Sequence, residues 1–299
     1  MNLDDLHLAI VIAREGSLTA ASARLGITPP TLSKAVARLE RATKVQLFER
    51  LARGMRPTEL GQAFLDRARS IDLAAGDLHA ALRDLRQARA GVLRCGFGQG
   101  VPDRWILPMA TALAGDGVRL DLTGGMTDLL MRSIGLGELE FAVLGLAAAP
   151  PEGYAWQPLL DDPMQPLAPN GHALARGRRV AGWSQLAQAR WIVPASGTSS
   201  HAEFERNFAA QGLATPAPLV ASRSSQRELP LALVLDALVL VPRSLRKEPD
   251  VQAQFALVTP AGGWQSERRL GIVSRAGGYL SPTARRAMAL LQQAVEAQP

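Results

Sequence analysis

The sequence has little cysteine, little lysine and no long apolar run. Cys95 is the only cysteine, so no disulfide can form within the chain, and an oxidising compartment is not indicated. The longest apolar stretch, residues 229–241, is too short to span a bilayer and is interrupted by Asp236. The N-terminal residues include acids where a secretory signal would have bases. We therefore expect a soluble cytoplasmic protein with no membrane partner.

Motifs for catalysis and for cofactors are also missing. The four histidines are scattered, and no spacing of Cys, His and Glu is typical of a metal site. The segment GFGQG at 96–100 lacks the G-x-G-x-x-G spacing of dinucleotide sites, and SGTSS at 196–200 lacks the G-x-S-x-G frame of a hydrolase. The chain has no second cysteine that could form a disulfide with an oxidised Cys95, as a redox sensor would require. We expect Cys95 to point into a packed interior. We expect no enzyme activity, no cofactor and no metal.

The charge balance is basic, and arginine carries almost all of it. The net charge is +6 over 299 residues, and lysine occurs only at Lys34, Lys44 and Lys247. Such a balance suits a polyanionic partner, although net charge says nothing about the fold. The length and ordinary composition predict two or three compact domains.

Residues 18–40 predict two helices joined by a short turn. Gly26 can adopt the left-handed conformation that ends the first helix. Thr28 suits the N-cap of the second, and Pro29 and Pro30 fall in its first turn, where backbone N–H groups have no intrahelical partner. Apolar residues recur at helical spacing behind them, at Leu32, Val36 and Leu39. This pattern predicts a helix-turn-helix.

The same region is strongly basic. Residues 28–58 contain seven basic and two acidic side chains, a net charge of +5. Arg50, Arg53 and Arg56 surround Gly54 just after a short apolar run, as in a hairpin wing resting on a phosphate backbone. A solvated helical hairpin with ordinary surface arginines is the alternative interpretation.

Residues 3–69 resemble the winged helix-turn-helix of LysR-type transcriptional regulators. The resemblance rests on the following motifs in order: the pair Ala20–Ala21 with Leu25, P-x-L-S at Pro30–Ser33, L-E at Leu39–Glu40, L-F-x-R at Leu47–Arg50 and T-x-x-G at Thr58–Gly61. Pro29 stands where most members have glutamine, so an operator preference cannot be transferred. The resemblance implies contacts with double-stranded operator DNA by Thr28, Pro30, Thr31, Ser33, Lys34, Arg38, Arg50, Arg53 and Arg56. Thr31, Ser33 and Lys34 would face base edges, and the arginines would mainly contact phosphates.

Residues 58–90 predict one long helix with an apolar seam. Apolar residues follow one another at alternating spacings of four and three, at Phe64, Ala68, Ile71, Ala75, Leu78, Leu82 and Leu85. A repeat of about 3.5 residues is typical of a helix that supercoils with a partner. We therefore expect dimerisation through Phe64, Ile71, Leu78, Leu82 and Leu85. A single amphipathic helix packed on its own domain is the alternative.

Residues 91–299 alternate short apolar runs with helical patterns, which predicts an α/β domain. Two halves are expected, the first from 91–162 and 267–299 and the second from 163–266, with a cleft between them. The preceding segments are then a DNA-binding domain at 1–57 and a dimerisation helix at 58–90. This part resembles, more weakly, the effector-binding domain of the same family, which is similar in fold to periplasmic binding proteins.

Small and hydroxyl residues follow three of the predicted strands, where α/β folds collect ligands. The candidate effector-binding residues are Gly98, Gln99, Gly100, Thr123, Gly125, Thr127, Ser196, Gly197, Thr198 and Arg223. Exposed N–H groups at such turns suit a carboxylate or another small anion. Ordinary helix capping explains each turn taken singly.

The function expected from these patterns is transcriptional regulation controlled by a small anionic metabolite. The partners would be operator DNA, the effector, further copies of the chain in a dimer or tetramer, and RNA polymerase. Two other classes of protein remain open at the level of sequence. One is a solute-binding protein whose helical segment serves only dimerisation, and the other is an α/β enzyme that uses the cleft.

Overall fold

The computed structural model describes residues 2–51, 54–86, 91–176, 180–223 and 225–297. The chain forms two compact units, Met1–Arg86 and Gln87–Pro299, called the N-terminal and the C-terminal unit below. The N-terminal unit contains α1 (Leu3–Glu15), α2 (Leu18–Leu25), α3 (Pro29–Thr43), β1 (Phe48–Leu51), β2 (Gly54–Pro57) and α4 (Glu59–Arg86).

The caps of α2 and α3 confirm the predicted helix-turn-helix. The Ser17 hydroxyl accepts a hydrogen bond from the backbone N–H of Ala20, and Gly26 ends α2 in the left-handed conformation with φ of 68°. Thr28 occupies the N-cap position of α3, with Pro29 and Pro30 in the first turn. Its side chain does not cap the helix but lies 2.9 Å from the hydroxyl of Thr31. The prolines preset the start of α3 without help from a capping side chain.

The wing is an antiparallel pair of β1 and β2 that is tied to α3 and α4. Glu40 Oε1 accepts hydrogen bonds from the backbone N–H groups of Leu47 (2.8 Å) and Phe48 (3.2 Å). The Thr58 hydroxyl donates to the carbonyl of Gln46 (2.7 Å) and accepts from the N–H of Gly61 (2.9 Å). A Cβ atom at Gly61 would lie 1.9 Å from the Leu47 carbonyl oxygen, so only glycine allows α4 to begin this close to the wing.

The core of the N-terminal unit is formed where α1, α3 and α4 meet. Its buried members include Leu6, Ile12, Leu32, Leu39, Leu47 and Leu65. Phe64 and Ala68 of α4 also pack against this core. The first two positions of the predicted dimer seam therefore contact the core of the chain's own N-terminal unit.

The rest of the predicted seam leaves its apolar side chains in solvent. Ile71, Leu78 and Leu82 are 44%, 61% and 41% exposed. The side chain of Leu85 lies outside the described residues. A row of exposed apolar residues along a 28-residue helix is unusual for a chain without a partner.

The C-terminal unit contains two five-stranded mixed sheets. The first has the order β4-β3-β5-β12-β6, from β3 (Val92–Gly98), β4 (Arg119–Gly125), β5 (Phe141–Leu146), β6 (Tyr154–Asp161) and β12 (Arg269–Arg275). Strands β3, β4 and β5 are parallel, whereas β12 is antiparallel to β5 and β6. Its helices are α5 (Asp103–Gly115), α6 (Thr127–Gly135) and α12 (Pro282–Ala297).

The second sheet has the order β11-β7-β10-β8-β9. Its strands are β7 (Met164–Pro169), β8 (Trp191–Pro194), β9 (Val220–Ser222), β10 (Leu238–Pro242) and β11 (Phe255–Leu257). Its helices are α7 (Trp183–Gln188), α8 (Ser199–Ala209), α9 (Ser225–Leu235), α10 (Arg243–Arg246) and α11 (Pro249–Gln254). Helix α8 begins at Ser199, because the hydroxyl of Thr198 accepts a hydrogen bond from the N–H of His201 and caps the helix.

The chain passes twice between the two sheets, and polar contacts hold the two passages together. The N–H of Asp162 donates to the carbonyl of Arg268 (3.0 Å). The Ser266 hydroxyl accepts from the N–H of Met164 (2.9 Å) and donates to the buried carboxylate of Glu203 (2.8 Å). Burial raises the pKa of Glu203, and its hydrogen bonds from Ser266 and Trp264 oppose that shift.

Two further features bear on function. Cys95 is fully buried in the core of the first sheet, as the sequence predicts, and burial raises the pKa of its thiol to about 12. None of the described helices is both long enough and apolar enough to cross a membrane.

Candidate DNA-binding surface and ligand cleft

The first half of α3 presents a continuous exposed face. Its residues Leu32, Ala35 and Val36 point into the core, whereas Thr31 and Lys34 are exposed and Ser33 is half-buried. Thr28 and Pro30 are exposed at the start of the same helix. The N-terminus of a helix with such side chains can enter a DNA major groove, where polar groups meet base edges.

The wing extends this face. The guanidinium of Arg50 on β1 donates to the hydroxyl of Ser33 on α3 at 3.3 Å, so one wing residue lies beside the predicted reading helix. Arg56 on β2 is exposed and pairs with Glu49 at 3.3 Å. A surface pair of this kind is weak and leaves the arginine able to exchange its partner for a phosphate. The predicted contact at Arg53 lies outside the described residues.

Arg38, one of the predicted phosphate contacts, pairs with an acid of the N-terminal unit. Its guanidinium forms a two-pronged ion pair with Asp5 of α1, with Nε 3.0 Å from Oδ2 and a second contact from NH2 to Oδ1. Asp5 is buried, and the hydrogen bond from Arg38 lowers the pKa of its carboxyl group. Arg38 therefore holds α3 against α1, and sequence reasoning missed this pair because the two residues lie 33 positions apart.

The C-terminal unit contains a cleft of about 590 Å³ at the carboxyl ends of strands from both sheets. The ends of β3, β4 and β5 lie on one side, and the ends of β8, β9 and β10 lie on the other. The size is that of a small-molecule site. Its walls are mainly apolar, with Met126, Met131, Leu146, Leu240 and Val241 among the lining residues.

Most of the effector-binding residues predicted from the sequence line this cleft. They are Gly98, Gln99, Gly100, Gly125, Thr127, Gly197, Thr198 and Arg223. Thr123 and Ser196 do not: Thr123 is exposed on the edge strand β4 before that strand ends, and Ser196 is exposed in the turn before α8. The sequence pattern assigned whole turns to the site, whereas only part of each turn lines the cleft.

A hydrogen bond crosses from one side of the cleft to the other. The side-chain amide of Gln99, after β3, donates to the backbone carbonyl of Arg223, after β9, at 2.7 Å. On α5, Arg104 donates to the carbonyl of Ser244 (3.2 Å) and pairs with Glu248, two groups that follow β10 of the second sheet. These contacts join the two halves on both sides of the turn at Gly100.

The cleft also contains ionisable residues that sequence reasoning missed. Arg268 pairs with the fully buried Asp162, whose two oxygens also accept from the N–H (2.8 Å) and the hydroxyl (2.9 Å) of Ser244. Glu228, in the first turn of α9, is only 5% exposed and lines the cleft. Burial raises the pKa of its carboxyl group to about 7. No local motif marks these residues, because they meet only through the packing of distant strands.

Both units match described families. Residues 3–62 match the bacterial regulatory helix-turn-helix protein family of the lysR type, and residues 86–296 match the LysR substrate binding domain. The RuBisCO operon transcriptional regulator of Allochromatium vinosum is 24% identical over 289 residues, which cover 95% of this chain and 93% of the relative. The regulator GbpR of Azospirillum brasilense is 26% identical over 297 residues, covering 98% and 86%.

Solved structures show the same fold. ArgP from Mycobacterium tuberculosis superposes with a TM-score of 0.69 at 19% identity, covering 97% of this chain and 96% of that one. Full-length CbnR in complex with its target DNA superposes with a TM-score of 0.60 at 20% identity, covering 98% and 100%. At these identities the likeness concerns the fold alone.

Proposed function

The chain belongs to the LysR family of transcriptional regulators, whose members bind DNA and are not enzymes, and we propose that a small anionic metabolite in the cleft controls its binding to an operator. The main support for this proposal is that one chain has both features: an exposed α3 face in the N-terminal unit, and a cleft at the strand ends of two sheets in the C-terminal unit. Given the family assignment, no observation favours the two other classes, a solute-binding protein and an enzyme.

For the DNA-binding domain, we propose that Thr31, Ser33 and Lys34 contact base edges in the major groove. Thr28 and Pro30 would set the approach of the helix, and Arg50 and Arg56 would contact phosphates, together with Arg53. Support comes from the exposure of Thr28, Pro30, Thr31 and Lys34 at the start of α3, and from the exposed Arg50 and Arg56 on the adjoining wing. Arg50 also donates to the half-buried Ser33. Arg38 would act indirectly, since its charge is engaged by Asp5.

For the oligomer, we propose a dimer or tetramer held partly by α4. Ile71, Leu78 and Leu82 support this arrangement because they are exposed and follow the spacing of a supercoiled pair. A dimer would present two α3 helices to a two-fold operator in the cytoplasm, with RNA polymerase as a further partner. The proposed division is a DNA-binding domain at 1–57, a dimerisation helix at 58–90 and an effector-binding domain at 91–299.

For the effector, we propose that an anionic group meets the turns before α6 and α8. Thr127 and Thr198 line the cleft beside the N-termini of these helices, where backbone N–H groups favour negative charge. Ligand binding would change the contacts between the two halves, such as the bond from Gln99 to Arg223, and so shift the arrangement of the subunits.

The test is fluorescence anisotropy of the full chain on DNA from upstream of its own gene and on a scrambled duplex, each at several salt concentrations. We expect tight binding to the first duplex only, with a log–log salt slope of about 0.9 per phosphate contacted. Equal and weak binding to both duplexes would overturn the proposal. Lys34→Ala, discussed below, separates the reading of sequence from general attraction to DNA.

A further inference from the structure

Glu228 is a buried acid without a partner. Glu228 lies in the first turn of α9, is only 5% exposed and lines the cleft. Throughout the described part of the chain, no hydrogen bond or ion pair reaches its carboxylate. A buried carboxyl group is normally satisfied by several donors, and an unsatisfied one costs stability.

Among the described residues, the surroundings of Glu228 contain no counter-ion for its carboxylate. Helix α9 packs against β7, β8, β9 and β10, and the sequences of these four strands have no charged residue. The other charged residues of the cleft are Asp128 and Arg223, both exposed, and Arg268, which is paired with Asp162. Arg227, the neighbour of Glu228 on α9, is exposed.

The raised pKa of Glu228 agrees with this isolation. Burial is its only cause, and no arginine of the cleft lowers it. Near neutral pH the carboxyl group is therefore divided between its neutral and ionised forms. The N-terminus of α9 stabilises the negative charge of the carboxylate. An exposed acid in the same turn would gain the same stabilisation without the free-energy cost of desolvation, so helix stability alone does not account for a buried acid here.

We propose, building on the cleft as the effector site, that the effector carries a protonated amine which pairs with Glu228. Together with the anionic group expected at α6 and α8, this makes the ligand a small zwitterion of the amino-acid class with an apolar body. The amine supplies the missing counter-ion, and the apolar walls, which include Met131, Leu146 and Leu240, cover the body. A purely anionic ligand would meet the uncompensated charge of Glu228.

Matched probes test the ligand class. Isothermal titration calorimetry of the full chain would compare the affinities of three compounds that share a carbon skeleton: an amino acid, the same compound without its amine, and the same compound without its carboxylate. Suitable sets are phenylalanine, hydrocinnamate and phenethylamine, and leucine, isocaproate and isoamylamine. We expect the amino acid of at least one set to bind more tightly than the corresponding acid. Tighter binding of the acids, or no binding of any amine-bearing probe at millimolar concentration, would overturn the inference.

Glu228→Gln removes the charge and keeps the shape. We expect it to weaken binding of the amine-bearing probes by about tenfold or more, because a charge-assisted hydrogen bond is lost. Binding of the simple acids should stay unchanged or improve. Glu205→Gln is the matched control, since Glu205 is 56% exposed on α8 and does not line the cleft. An equal loss in both variants, or no loss in Glu228→Gln, would contradict the role.

The unaltered chain gives a second measurement if the variant fails to fold. Since the pKa of Glu228 is raised to about 7, amine-bearing probes should bind more weakly as the pH falls below that value and the carboxyl group gains a proton. The amines of the probes stay protonated throughout this pH range. A flat profile for the amine-bearing probes would contradict the pairing.

The same probes separate this inference from the proposed function. Each bound probe would be added to the complex of the chain with its upstream DNA. If the simple acids bind more tightly than the amino acids and shift the DNA affinity, regulation through the cleft stands and the amine inference fails. If an amine-bearing probe binds through Glu228 but leaves the DNA affinity unchanged, the site stands and the proposed control of DNA binding fails.

Discussion

Single residues in the N-terminal unit fall into two kinds, those that hold it together and those left free for a partner. Arg38 and Arg50 look alike in the sequence, yet Arg38 is bound to the buried Asp5, whereas among the described residues Arg50 has a hydrogen bond to the hydroxyl of Ser33 and no ion pair. Lys34 is exposed beside Ser33 on α3. Exposure and the lack of a strong internal partner therefore distinguish the residues that would meet DNA.

Lys34→Ala should reduce the ratio of specific to nonspecific affinity, because a side chain at a base edge contributes about 1–3 kcal/mol of discrimination. Arg41→Ala is the matched control. Arg41 is exposed two turns further along α3, away from the proposed base-reading residues, so its loss should leave the ratio unchanged and change binding to both duplexes by the same factor. Anisotropy on the upstream and scrambled duplexes measures both effects. An unchanged ratio in Lys34→Ala would remove this residue from the reading surface.

Gly61→Ala should destabilise the N-terminal unit by about 2 kcal/mol or more, because the new Cβ would lie 1.9 Å from the Leu47 carbonyl and force α4 away from the wing. Gly76→Ala on the same helix is the control, since no atom outside the helix lies within 4 Å of its Cβ position. That change should be neutral or stabilising by about 0.5–1 kcal/mol. Urea unfolding of both variants provides the comparison, and equal stability would refute the close-approach argument.

At the scale of helices and strands, the sequence predicts the features that depend on neighbouring residues, such as the ends of helices. Gly26, Thr28 and the two prolines fix the ends of α2 and α3 through backbone conformation, and Ser281 caps α12 by accepting a hydrogen bond from the N–H of Ala284 (3.0 Å). Contacts between distant elements were not predictable. The ion pair of Arg268 with Asp162, for example, has no local pattern, because it forms only when two passages between the sheets meet.

The long helix α4 has both a feature that its sequence predicts and a contact that its sequence does not predict. The spacing of its apolar residues predicts a seam, but the structure shows that Phe64 and Ala68 pack into the N-terminal unit's own core. A spacing cannot tell which neighbour covers a residue. The exposed part from Ile71 onward remains available for a second copy of the helix.

Leu78→Asp should therefore weaken the dimer, because it places a charge in an interface that would exclude water. The N-terminal unit should keep its fold, since Leu78 is 61% exposed in the single chain. Sedimentation velocity over a range of concentrations measures the result, with a shift to monomer expected. Ala80→Asp introduces the same charge on the opposite face of α4 and should leave the oligomer intact. A dimer of unchanged strength in Leu78→Asp would place the interface elsewhere.

At the scale of the whole molecule, the two units have separate cores and are expected to unfold separately. The buried pair of Asp162 and Arg268 lies at the passages between the sheets of the C-terminal unit, where Asp162 also receives two hydrogen bonds from Ser244. Removing one partner of a buried ion pair leaves an uncompensated charge, which costs about 3–5 kcal/mol.

Asp162→Ala should thus lower the temperature of one unfolding transition in calorimetry and leave the other in place. The transition that shifts should be the one raised by a ligand of the cleft, because only the native C-terminal unit binds it. Asp161→Ala is a stringent control: Asp161 is the adjacent residue, 81% exposed, and its pair with the exposed Arg269 spans 3.4 Å. That variant should melt like the unaltered chain. A shift of both transitions in Asp162→Ala would mean that the units unfold together, and operator binding should then also be lost on mild heating of the variant.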